Sequence, residues 1–291
     1  MRVCVLRLAV LVSLGGATRR GLTTTSLLWH KLPRLHVDHQ VLSLGKDVQL
    51  DEESSHYLLT VMRMRVGSSF RVFNGRDGEF GATLSGSSGS GKRERKQLAS
   101  VNIAEQLRSP HPSSSKAAPV HLYFAPLKKQ RVKLLLEKAT ELGVDRLFPV
   151  QTQNTNERWA TGEEAAGLAR VLVESAEQCE RLSVPALDKI TSLADLLQAF
   201  PASQPESRLL VCRERSPESP SLLGALQEVV ASPAPARCLL VGPEGGFTAE
   251  ELQTLARLDF VRFVSLGDSV LRAETAAIAA LAVLGVAEHP A

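Results

Sequence analysis

The chain has few cysteines, no acid near its start and no apolar run long enough to cross a bilayer. Its four cysteines, Cys4, Cys179, Cys212 and Cys238, are scattered over 291 residues and form no CxxC pair. That spacing argues against both a zinc site and a disulfide framework, so no metal is expected. Each cysteine reads as a small buried apolar residue. No N-x-S/T sequon occurs. The apolar stretch Leu8 to Leu14 is too short to span a membrane, and no membrane partner is expected. Two phosphate-binding signatures are also missing. There is no GxGxxG, and no Lys-Ser or Lys-Thr follows the late glycine-rich loop. No internal repeat is evident.

The absence of acid is local. From Met1 to Val37 there is no Asp or Glu, while Arg2, Arg7, Arg19, Arg20, Lys31 and Arg34 are spread through the segment among Thr18, Thr23, Thr24 and Thr25. A basic, hydroxyl-rich, acid-free start is the composition of a mitochondrial transit peptide. We expect a leader over residues 1–34, with removal between Thr18 and Leu35, and a mature protein in the mitochondrial matrix. A secretory signal centred on Leu8 to Leu14 is the competing reading. Over the whole chain the net charge is +3, which permits nucleic-acid binding without arguing for it.

Beyond the leader the chain divides in two. Residues 35–107 read as a small β-rich domain. It opens with a helix capped by Asp51, with Tyr57, Leu58, Val61 and Met62 at helical spacing. A strand then runs from Phe70 into an Asn74-Gly75 turn. EFGATL and LASVNIAEQL read as two further strands, joined by a Gly/Ser-rich and then basic loop from Ser85 to Gln97. Its Lys92, Arg93, Arg95 and Lys96 are candidate RNA contacts or merely solvated. Residues 108–119 are a linker by composition. From 120 to 289 strands alternate with helices, which implies a mostly parallel sheet.

Two loops near the end carry the chemistry. LLVGPEGGFTAEEL runs from Leu239 to Leu252, and SLGDSVLRAETAAIAAL from Ser265 to Leu281. Each is an apolar run, a tight loop and a helix start. Loops at the carboxyl ends of strands are where α/β proteins bind small ligands. Gly242, Gly245 and Gly246 free the backbone for unusual dihedrals or close approach, and Thr248 with Glu251 forms a capping box.

This pair of loops resembles the S-adenosylmethionine (SAM) site of SPOUT methyltransferases. It is most similar to the bacterial enzymes that methylate N3 of a uridine in small-subunit ribosomal RNA. Further matches are HYLLTVMRM, VFNG, KKQRVKLLLEKATELGVDRLFPV and the Glu177-Gln178…Arg181…Val184-Pro185 element. The resemblance implies an α/β fold with a trefoil-knotted, mostly parallel SPOUT domain behind a smaller PUA-like β-barrel. It implies a homodimer, methylation of small-subunit rRNA and SAM as methyl donor. Leu240, Gly242, Pro243, Glu244, Gly245, Gly246, Leu266, Gly267 and Leu271 are then expected to bind SAM. Arg272 and Glu274 are the expected catalytic pair, Arg272 as phosphate holder or anion stabiliser and Glu274 as base or as orienter of Arg272. Arg63, Lys128, Lys129, Arg131 and Arg181 are expected to hold RNA. Glu177 and Gln178 either brace the sheet edge or serve the active site.

Three positions depart from the family pattern. Asn154, Ser183 and Ser269 stand where an arginine is common. Neither Asn nor Ser reproduces a bidentate guanidinium. A non-catalytic RNA-binding or ribosome-assembly factor that keeps the fold is therefore the alternative reading.

Overall fold

The computed structural model describes residues 29–38, 41–88, 97–110, 118–214, 216, 218–230 and 236–288. Most of the expected leader, the basic stretch from Lys92 to Lys96 and most of the linker lie outside them.

Among the described residues the N-terminal unit is a five-stranded sheet in the order β1-β3-β4-β5-β2, with β1 (Arg34–His36), β2 (Asp47–Gln49), β3 (Ser69–Phe73), β4 (Glu79–Ser88) and β5 (Leu98–Arg108). Alternation in β3, β4 and β5 turns Phe70, Val72, Ala82, Leu84, Val101 and Ile103 into one apolar core. Helix α1 (Glu52–His56) starts where Asp51 accepts a hydrogen bond from Ser54 N at 2.7 Å, and it passes into one π turn over Tyr57–Val61. The chain leaves that turn through Arg63, exposed and in the left-handed region at φ 53°. After β3, Asn74 Oδ1 accepts from Arg76 N and Asp77 N, and Gly75 takes φ 79°. The Asn-Gly pair thus closes a turn in the way its chemistry requires.

The C-terminal unit is a seven-stranded sheet among the described residues, ordered β12-β10-β11-β6-β7-β8 with β9 also on β7. Its strands are β6 (Val120–Phe124), β7 (Arg146–Gln151), β8 (Ala186–Leu187), β9 (Thr191–Ser192), β10 (Leu209–Cys212), β11 (Arg237–Val241) and β12 (Val261–Val264). Every pairing is parallel. Helices α2 (Lys129–Glu141), α3 (Glu163–Gln178), α5 (Leu222–Val230) and α7 (Ala273–Glu288) build one apolar layer. Helices α4 (Leu193–Ser203) and α6 (Ala249–Ala256) build another. Sheets buried on both faces read as continuous apolar runs, as LLVC and RCLLV do here. The small residues of α7 pack inside the monomer: Ala273, Ala277, Ala280, Leu281 and Leu284 are buried in the first layer.

A buried polar cluster joins the two units. Arg34 sends Nε to Glu79 Oε1 at 2.6 Å, NH1 to the carbonyls of Ala176 and Glu177, and NH2 to the carbonyl of Arg181. Glu79 is 1 % exposed and also pairs with Arg71 and Arg108. Arg71 reaches Glu180 Oε1, and Arg108 reaches the Glu180 carbonyl. These arginines meet the carbonyl end of α3, where the helix dipole favours cations. Glu177 Oε1 accepts from His36 N at 2.8 Å, so Glu177 is a brace between the units; Gln178 is exposed.

The same contacts extend into the expected leader. Arg34 is buried, and the residues just before it are tied in as well. Arg71 donates to the carbonyls of His30, Leu32 and Pro33. Trp29 donates Nε1 to Glu105 and lies so close over Gly81 that a Cβ there would sit 2.5 Å from the indole. Residues 29–34 belong to the folded unit.

Candidate active site

Strand order decides where ligand loops can meet. Strand β10 lies between β11 and β12, so the loops leaving all three carboxyl ends sit side by side. They enclose a cavity of 640 Å³. Of the expected SAM contacts, Gly242, Pro243, Glu244, Gly245, Gly246, Leu266, Gly267 and Leu271 line it. Leu240 does not. It is 0 % exposed and packs in the core between the sheet and α4 and α6, because successive strand residues point to opposite faces; Val241 lines the cavity instead.

The glycines have structural reasons of their own. A Cβ at Gly242 would stand 2.8 Å from the Phe247 ring, and one at Gly245 would stand 3.2 Å from Asn154 Cβ. Gly246 and Gly267 take φ 68° and 115°, which only glycine adopts cheaply. Asn154 donates to the carbonyls of Gly245 and Gly246 at 3.2 and 3.1 Å. Asn154, at a position where the resemblance leads to an expected arginine, therefore fastens the first loop. Thr248 and Glu251 form the expected capping box, and the free Glu251 oxygen also accepts from Gln153 N.

Strand β10 adds residues that no motif announces. Cys212, Arg213 and Glu214 line the cavity. Desolvation pushes the Cys212 thiol up to about 12, so it is a neutral wall and not a nucleophile. Arg213 pairs with Glu218 and lies over the Phe263 ring. The signal that finds them is position: they follow the carboxyl end of a central strand.

The structure separates the expected catalytic pair. Arg272 is exposed and lines the cavity. Glu274 does not line it. It is 6 % exposed, its Oε1 lies 3.7 Å from Arg131 Nε, and its Oε2 has no hydrogen-bond partner among the described residues. Arg131 also pairs with Glu244 and itself lines the cavity. Expected to hold RNA, Arg131 is turned inward between the two loops.

The other expected RNA contacts differ. Lys128 and Lys133 are exposed, and no acidic residue occupies the first turn of α2 to offset their charge. Lys129 reaches Glu164 at 3.5 Å. Lys138 lies between Glu137 and Glu141, whose hydrogen bonds raise its pKa. Arg181 is a correction. Its NH1 donates to the carbonyls of Thr140 and Val144, and its side chain is 15 % exposed beside Asp145. Desolvation lowers its pKa, which Asp145 partly offsets. It braces the end of α2 and is not presented to solvent. Ser183 accepts from Arg181 at 3.4 Å, and Ser269 is exposed at the cavity wall.

Known proteins are similar to this chain in sequence and fold. A family model described as an RNA methyltransferase domain matches residues 114–285, and one described as an RNA methyltransferase PUA domain matches residues 50–91. Ribosomal RNA small subunit methyltransferase E of Rickettsia conorii is 32% identical over 252 residues, covering 87% of this chain and 94% of its own length. The Synechocystis protein of the same name is 31% identical, covering 81% and 71%. The crystal structure of the Neisseria gonorrhoeae protein of that name, bound to S-adenosyl methionine, superposes with a TM-score of 0.69 at 26% identity, covering 86% of this chain and 95% of that one. With its two sheets, its paired glycine loops and these matches, the chain belongs to the ribosomal RNA small subunit methyltransferase E family, SAM-dependent RNA methyltransferases with a PUA domain and a SPOUT-like fold.

Proposed function

We propose that the protein binds SAM in the cavity between the two glycine loops and methylates N3 of a uridine in mitochondrial small-subunit rRNA. The observation that carries this reading is the convergence of GPEGG and LGDSVLRAETA on one cavity whose wall also holds arginines. The residues suit the ligand. Leu252, Leu266, Leu271 and Ala276 offer apolar surface for an adenine, and Glu214, Arg213 and Arg272 offer both signs of charge to a zwitterion. SAM, when bound, supplies an activated methyl group, so the protein has to place and deprotonate the base. Holding the base in line supplies much of the rate. N3 lies on the pairing edge, so the target uridine has to be unpaired or extruded.

The mitochondrial address rests on the acid-free start of the chain. Processing then falls N-terminal to Trp29, because a cut after residue 34 would remove Arg34 from the buried cluster. A homodimer is supported by exposed apolar side chains on one helical layer, Leu134 of α2 and Leu223 of α5. Asn154 supports the enzyme reading over a non-catalytic one, since its two hydrogen bonds hold the first glycine loop in shape.

The test is to map N3-methylated uridines in mitochondrial small-subunit rRNA with and without the protein. Loss of one modified uridine is expected. An unchanged map overturns the substrate, and failure to bind SAM by titration calorimetry overturns the enzyme reading. Mass spectrometry of the mature N-terminus checks the processing site.

A further inference from the structure

The N-cap and first five residues of α2 carry four cations, and they do not behave alike. Lys128, Lys129 and Lys133 face solvent, and the Lys129 side chain is 67% exposed. Arg131 is only 27% exposed and is held by a carboxylate from each ligand loop, Glu244 from the first and Glu274 from the start of α7. The hold is incomplete. Glu274 is buried, yet it offers Arg131 one oxygen and leaves the other without a hydrogen-bond partner among the described residues. A buried carboxylate left half-satisfied is costly. It makes sense as the backstop of a cation whose working edge points elsewhere. The guanidinium has five donors, so two carboxylates do not exhaust it, and Arg131 lines the cavity while Glu274 does not.

We propose that Arg131 is the catalytic residue that stabilises the anionic uracil in methyl transfer, and that Glu274 and Glu244 are positioning residues that aim it. The inference rests on the functional reading above and names how that site handles charge. Uridine N3 carries a weakly acidic imide proton. When that proton passes to solvent water, the negative charge spreads over N3, O2 and O4. A hydrogen bond from a cation favours the charged form and lowers the pKa of the base. Deprotonated N3 then attacks the methyl carbon, the carbon–sulfur bond breaks, and sulfur keeps the electron pair. The other charged groups around the cavity are Arg213, Glu214, Glu244 and Arg272. Arg272 is exposed and Arg213 is paired with Glu218. Of the cavity arginines among the described residues, Arg131 alone has a buried carboxylate behind it.

The experiment is single-turnover methyl transfer from SAM to small-subunit rRNA transcript by the full protein, from neutral to alkaline pH. Arg131→Gln is expected to slow transfer about 10²–10³-fold. Measured at saturating SAM, its rate should keep rising at alkaline pH where the wild type has levelled off. Arg131→Lys keeps the charge without the fork, so it should recover part of the rate. It also serves as the variant if Arg131→Gln does not fold. Glu274→Gln should give a smaller loss with the same shift of the pH profile. An Arg131→Gln enzyme that only binds RNA more weakly, with kcat and pH profile intact, would make Arg131 a phosphate holder and overturn the proposal. Loss of transfer in Glu274→Gln but not in Arg131→Gln would make Glu274 the base and overturn it as well. An inactive wild type overturns the functional reading, and the role of Arg131 falls with it.

Discussion

Two arginine–carboxylate clusters sit at the two ends of the catalytic domain, and they are built on opposite plans. Around Glu79 the donors are in excess. Three arginines surround one carboxylate whose side chain is 2% exposed, and three further Arg34 hydrogen bonds end on carbonyls. Around Arg131 the negative charge is in excess but the donors are not used up: two carboxylates share one guanidinium with five donors, and one buried carboxylate oxygen is left over. The first cluster is tightly committed, because separating Glu79 from Arg34 would strand a buried charge. The second is under-committed and sits at a cavity wall. The first fixes the PUA domain relative to the SAM site. The second has capacity for a ligand.

Breaking the first cluster should cost the most. Glu79→Gln keeps the shape and removes the charge, leaving Arg34 buried without its counter-ion. Roughly 3–5 kcal/mol of stability should be lost, measured by urea unfolding. Glu244→Gln, at a side chain 47% exposed, should cost no more than about 1 kcal/mol. Similar losses in the two variants would erase the distinction. The pH dependence has a definite sign. Burial acts to raise the Glu79 pKa, but hydrogen bonds and charge from Arg108 and Arg34 outweigh it, and the net shift is downward. A depressed carboxyl contributes stability above its unfolded value, about 4.3, and that stability is lost as pH falls through the lower folded value. The wild type should therefore lose stability on acidification below about pH 4, and Glu79→Gln should lack that slope.

Much of the fold is legible in the sequence. The strand-helix alternation, the Asn-Gly turn, the capping box and the glycine loops all announce themselves through short-range chemistry. The features that are not legible depend on partners far away in sequence. Arg34 reads as one more scattered charge of a leader, because its partners lie 45 to 147 residues away. Leu240 reads as a cavity residue along with its whole motif, although strand alternation turns it to the opposite face. Arg131 groups with the lysines by charge. Its helical phase is a better guide: Leu135, one turn on, is buried, so Arg131 shares the inward face.

A middle-sized effect would sharpen the contrast at the cavity itself. Asn154→Ala removes two side-chain bonds to loop carbonyls without adding bulk. Each such bond contributes about 1 kcal/mol, so SAM binding should weaken by up to about thirty-fold while urea stability changes little. Gly245→Val pushes into Asn154 from the other side and should weaken SAM binding at least as much. Calorimetric titration with SAM measures both. Unchanged affinity in Asn154→Ala would mean that the first loop holds its shape without help from Asn154.

The smallest effect tests the contrast within a single helix turn. If Arg131 serves the cavity, the phosphate-binding duty of that turn falls to its solvent-facing neighbours. Lys128 is exposed at the N-cap and has no acidic residue in the first turn to offset it. A phosphate there would complement both the lysine and the helix dipole. Lys128→Gln should weaken binding to small-subunit rRNA and lower the slope of log affinity against log salt by about one unit. The transfer rate on bound RNA should not change. Arg131→Gln should do the reverse, sparing the salt slope and losing the rate. If both variants shift the salt slope equally, the turn is one basic patch and the inward position of Arg131 carries no separate role.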